Sequence, residues 1–63
     1  MAVMKRRSPN FEEAVMIWCL LFKHMHQHDI AAEFGYNQGR ISEVKTGKRH
    51  PDAYLEAVRR FGR

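Results

Sequence analysis

Apolar residues recur along this chain at helical spacing, and nowhere do they alternate as a half-buried strand would require. Phe11, Ala14, Trp18, Leu21, Phe22 and Met25 fall on one helical face, which predicts a first helix running to about Met25. Asn10 can cap it with Glu13 three residues on, or Ser8 can cap it with Pro9 in the first turn. Either start sets Glu12 and Glu13 against the positive end of the helix dipole. Met16, Ile17 and Leu20 fall on the opposite side. A helix apolar nearly all round has two surfaces to bury against. The expected second surface is another copy of the chain, with Met16, Ile17 and Leu20 as the dimer interface. The bland alternative is a wide core face with stray exposed apolar residues, which are common.

The shorter segments that follow are punctuated by glycine and asparagine. "HDIAAEF" predicts a second helix with Ile30, Ala31 and Phe34 inward, and Gly35 can take the left-handed conformation that stops it. Tyr36 puts an aromatic in the turn. Asn37 then caps a third helix, with Ile41 and Val44 as its apolar pair, and Gly47 closes it. Pro51 suits the first position of a fourth helix. There Tyr54, Val58 and Phe61 are expected on one face with Leu55 beside it, and Gly62 at the end. The expected fold is all-α: a compact four-helix domain over residues 9–63, preceded by a flexible basic arm over residues 1–8.

At 63 residues the chain is one domain and marginal alone. Domains of this size lean on disulfides, a metal or a partner chain. The lone Cys19 removes the intramolecular disulfide and points to a reducing compartment. No apolar run approaches the roughly 20 residues that span a bilayer, and "MAVMKRR" lacks the apolar core of a signal peptide. A cytoplasmic protein is expected. The net charge is +4, and its distribution is uneven. Lys5, Arg6, Arg7 and Lys23 balance Glu12, Glu13, Asp29 and Glu33. Residues 34–63 carry seven Lys/Arg against Glu43, Asp52 and Glu56. A basic half suits a polyanion, most often nucleic acid; solubility alone is the competing reading.

Ile30 and Ala31 in one short helix, Gly35 opening a three-residue turn, and Ile41 and Val44 in the next are the residues that carry a family likeness. From Gln27 to Gly47 the chain resembles the helix-turn-helix of lambda-repressor-like and related bacterial and phage DNA-binding proteins, with Gln27, Gln38 and Gly47 also at matching places. His26 departs from the Ser or Thr that often begins the first helix of the motif. The resemblance implies that the second helix, about 37–46, enters the major groove with its N-terminal residues at the base edges. With Ile41 and Val44 inward, Gly39, Ser42, Glu43 and Thr46 face outward, flanked by Gln38 and Arg40.

Base reading is then expected from Gln38, Gly39, Arg40, Ser42 and Glu43. Gln38 has the bidentate amide for adenine and Arg40 the fork for guanine. Any side chain at Gly39 would hold the helix away from the bases. Glu43 can brace Arg40, accept from a cytosine amino group, or simply form a solvated pair with Arg40 or Lys45. Ser42 can reach a base or a phosphate. Phosphate contacts are expected from Gln27, Asn37, Lys45, Thr46, Lys48, Arg49 and His50. Arg6 and Arg7 of the arm would lie along the backbone or in the minor groove, or form a solvated tail. Arg59, Arg60 and Arg63 read as a solvated helix face.

Competing chemistry is thin. His24, His26 and His28 alternate, but on a helix such positions point apart, so no metal and no cofactor are expected. Cys19 suits packing better than catalysis. "GKR" at 47–49 lacks the rest of a phosphate-binding loop, and no acid–base pair has a cleft in so small a chain, so no enzyme is expected. The reading is a sequence-specific double-stranded DNA-binding transcription regulator, best taken as a repressor bound as a homodimer to a two-fold operator. One alternative is an activator or RNA-polymerase accessory subunit with a sigma-like helix-turn-helix. Another is an antitoxin-like or assembly module that binds protein.

Overall fold

The computed structural model describes residues 9–62. The N-terminal arm with Arg6 and Arg7, the alternative cap Ser8, and Arg63 lie outside the described residues. The chain folds as an all-α, four-helix domain: α1 (Phe11–Phe22), α2 (Gln27–Phe34), α3 (Gln38–Thr46) and α4 (Asp52–Phe61). None of these helices is long and apolar enough to cross a membrane.

Local chemistry accounts for each boundary. Asn10 caps α1: its Oδ1 accepts from the Glu13 N–H at 2.8 Å, and Glu13 Oε1 accepts from the Asn10 N–H at 3.1 Å. This reciprocal box satisfies two of the donors that a helix start leaves orphaned. The helix ends three residues short of the Met25 expected from periodicity. His24 takes a left-handed φ of 67°, Met25 N–H donates to the Leu20 carbonyl at 3.1 Å and His24 N–H to the Leu21 carbonyl at 2.9 Å. That is the six-to-one and five-to-two pairing of a Schellman stop, carried here by histidine instead of glycine. His26 precedes α2 without a side-chain cap, and Gly35 stops that helix at φ 78°. Asn37 caps α3 by accepting from Gly39 N–H at 2.7 Å, and Gly47 ends it at φ 84°. Pro51 sits just before α4 with helical dihedrals, one position earlier than expected.

α1 is the centre of the domain. It packs against α4, α3 and α2; α2 packs against α3, and α4 touches neither α2 nor α3. Ala14, Val15, Ile17, Ile30, Ile41, Val44, Ala53 and Ala57 are fully buried, joined by Ala31 and Tyr36. The second surface of α1 is therefore met within the chain. Ile17, expected at a dimer interface, is fully enclosed, and Leu20 is half-buried; of that stripe Met16 alone is exposed, at 43%. α4 meets α1 through its small residues. Its inward face is Ala53 and Ala57, small enough for a close approach to α1, while Tyr54, Leu55 and Phe61 are exposed. Tyr54 still covers α1 from the edge: its ring lies 4.8 Å from that of Trp18 and 6.0 Å from that of Phe22, both edge-on.

Two polar ties reinforce this packing. Arg60 of α4 donates to both Glu12 carboxylate oxygens at 3.0 Å and to Glu56 at 2.6 Å. The paired guanidinium holds the Glu12 and Glu56 carboxyls below their usual range, and the two carboxylates raise Arg60 in turn. Glu12 and Arg60 are open to solvent, so their pairing orients α4 more than it stabilises it. The other tie is less exposed. The Tyr36 hydroxyl, in the turn between α2 and α3, donates to Glu13 Oε1 at 2.7 Å. One carboxylate thus caps α1 and pins the turn. Tyr36→Phe is expected to lower stability by about 1.5 kcal/mol, the low end for a hydrogen bond to a charged group. A urea melt followed by helical circular dichroism measures this, and an unchanged midpoint would show that the bond contributes nothing.

Candidate nucleic-acid interface

α2, the turn Gly35–Tyr36–Asn37 and α3 form two packed helices joined by three residues. Ile41 and Val44 are both fully buried, and this fixes the rotation of α3 about its axis. Gln38, Gly39, Lys45 and Thr46 are left exposed, with Arg40, Ser42 and Glu43 half-buried along the flanks. Both ends of α3 are therefore open, the N-terminal one through Gln38 and Gly39. Gln27, at the first position of α2, is half-buried.

Glu43 has a definite role. Its Oε1 lies 3.3 Å from Arg40 Nη1 and 3.0 Å from Arg49 Nε. Of the partners open from sequence, Glu43 takes Arg40 and not Lys45, and it reaches Arg49 as well. The reach to Arg49 depends on Gly47, whose left-handed backbone folds the chain back so that the Lys48 and Arg49 N–H groups donate to the Glu43 carbonyl at 2.9 and 3.3 Å. Arg49, expected at a phosphate, has its guanidinium tied to Glu43 on one side. Lys45 makes no ion pair among the described residues, with Glu43 or otherwise, and neither does Lys48. This stretch carries four cations, Arg40, Lys45, Lys48 and Arg49, and the single carboxylate of Glu43.

Three other residues carry local duties. Thr46 Oγ1 donates to the Ser42 carbonyl at 3.0 Å. Its hydrogen is engaged within the helix, which disfavours the phosphate contact expected of it. His50 takes a left-handed φ of 52°, and its Nε2–H donates to the Pro9 carbonyl at 3.0 Å. The ring also meets Phe11 edge-on, with centroids 6.0 Å apart. His50 therefore fastens the loop after α3 to the start of α1, a structural part that its place in "KRH" did not suggest. Gly39 has a local reason as well: a Cβ there would stand 3.2 Å from Asn37 Oδ1, the capping atom. Its glycine keeps the cap unstrained and also leaves the outward surface flat. Asn37 is exposed, with that oxygen engaged in the cap.

The alternating histidines are separated by the fold. His24 belongs to the α1 stop, His26 precedes α2, and His28 pairs with Asp29 at 3.3 Å. Among the described residues no three His, Cys, Asp or Glu side chains come together as a metal site. Tyr36–Glu13, Arg49–Glu43, His50–Pro9 and, away from this face, Arg60–Glu12 are contacts that sequence reasoning missed. No protein-family model, curated protein or solved structure matches this chain.

Proposed function

We propose that this chain is a sequence-specific double-stranded DNA-binding transcription regulator that works as a homodimer on a two-fold operator and represses by occupying it. The observation that carries the reading is the open N-terminal end of α3: exposed Gln38 and Gly39 beside an Arg40 paired with Glu43, with Lys45 and Lys48, which have no ion-pair partner among the described residues, close by in sequence. This combination suits a major groove. Gly39 lets the backbone approach the base edges. Gln38 offers a donor and an acceptor to adenine, and Arg40 offers its fork to guanine. Glu43 holds the Arg40 guanidinium in one geometry, so less side-chain freedom is lost on binding. Lys45 and Lys48 neutralise phosphates and set the register without reading sequence. Repression is the simplest outcome, because a domain this small acts most directly by excluding other proteins from the site.

Selection of bound duplexes from a random pool tests the proposal. A single motif should emerge, repeated with two-fold symmetry and half-site centres about 34 Å apart or a multiple of it. A pool that stays random after several rounds would remove the DNA-reading function. An unrepeated asymmetric motif would favour the sigma-like alternative.

A further inference from the structure

The dimer in that proposal needs a surface, and on α1 the exposed large apolar residues are Met16 and, at its first position and against His50, Phe11. We propose that the outer stripe of α4 is where two copies of the chain associate, with the two α4 helices antiparallel about a two-fold axis near Leu55. Leu55 is 67% exposed, more than any other large apolar side chain among the described residues, and on the same helix Tyr54 and Phe61 are 44% and 40% exposed. With the half-buried Val58 they make one apolar stripe along a helix that is already tied down at both ends by its contacts with α1. An apolar stripe on so small a domain marks an interaction surface.

Charge selects the occupant. Asp52 and Arg59 stand on the far flank of Leu55, one toward each end of the stripe. Asp52 has no ion-pair partner among the described residues. Arg59 contacts Glu56 at 3.0 Å, but its side chain is 76% exposed and keeps donors facing solvent. A stripe with an acid at one end and a base at the other is complementary to itself only when reversed. Antiparallel pairing sets Asp52 against the second copy's Arg59, and symmetry makes the pair twice. Parallel pairing would oppose like charges. Antiparallel helices also oppose their dipoles favourably. Because α4 touches neither α2 nor α3, covering its outer stripe leaves the outward side of α3 open.

Sedimentation of the free full chain over a range of concentrations tests this without DNA, so its failure is separate from failure of DNA reading. The wild type should show a monomer–dimer equilibrium. Leu55→Asp, at a position exposed in the monomer, should abolish the dimer while keeping the helical circular dichroism of the fold; Met16→Asp should leave the dimer intact. Asp52→Arg and Arg59→Asp should each weaken association by about tenfold, because each reversal acts at two symmetric places. The double reversal should bring association back toward wild type. A wild type that stays monomeric at the highest concentration would overturn the proposal and leave the stripe to a different protein, as the assembly-module reading requires. A dimer that survives Leu55→Asp, or charge reversals without mutual rescue, would overturn it equally.

Discussion

Ile17→Ala is expected to cost about 2–5 kcal/mol of stability, and Ile17→Asp to leave no folded population, whereas Met16→Asp should shift stability by no more than about 0.5 kcal/mol. The two positions are adjacent, and periodicity alone places both on the same outward side of α1. In the structure Ile17 is completely enclosed and Met16 is open. Truncating Ile17 removes apolar contacts and leaves a cavity among helices that can close up only in part. The loss is large on the scale of the molecule: 63 residues carry roughly 3–9 kcal/mol in total. Urea melts of the three variants measure the differences. They should be run at several protein concentrations, because association with a second copy would add a concentration-dependent term. Equal tolerance of aspartate at both positions would mean that Ile17 faces outward and that α1 carries the intermolecular surface after all.

Helix ends were legible where a small polar residue or glycine wrote them. Asn10 and Asn37 cap, and Gly35, Gly47 and Gly62 stop, because their side chains or left-handed backbones have few other uses. The stop at His24 was hidden, since histidine carries no such signal and apolar spacing continues to Met25. Orientation was harder to read than extent. The shared face of Tyr54, Val58 and Phe61 did not say which side of α4 turns inward, and the helix buries its small residues Ala53 and Ala57. The apolar back of α1 was a correct sign that something covers it; the chain's own helices do much of that covering. For the candidate site, the rotation of α3 followed from Ile41 and Val44. The link from Glu43 to Arg49 did not, because it needs the reversal at Gly47 to bring residues six apart together. His50 and Pro9 are 41 positions apart, and no local rule joins them.

Arg40→Ala is expected to weaken binding to the specific duplex by about 1–3 kcal/mol and to leave random DNA nearly unaffected. Lys48→Ala should weaken both duplexes alike and lower the slope of log affinity against log salt by about one unit. The contrast rests on placement. Arg40 lies in the first turn of α3, its guanidinium steadied by Glu43, while Lys48 lies beyond the Gly47 stop with no ion-pair partner among the described residues. Gly39→Leu is the sharpest of the three. Its side chain would project from the exposed end of α3 and hold the helix off the bases, so specific binding should be abolished. The Cβ would also press on Asn37 Oδ1 at 3.2 Å, and complete loss of that cap would cost about 0.5–2 kcal/mol. Gly39→Ala isolates this effect, since it adds the same Cβ without the reach into the groove. It should share most of the stability change of Gly39→Leu and retain most of the affinity. Titrations of specific and random duplexes at several salt concentrations, paired with a urea melt of each variant, separate reading from anchoring and both from folding. If Arg40→Ala weakens the two duplexes equally and Gly39→Leu binds the specific one normally, α3 is not the reading element. The same outcome would leave Glu43 as a structural brace for two surface arginines, with no part in setting sequence preference.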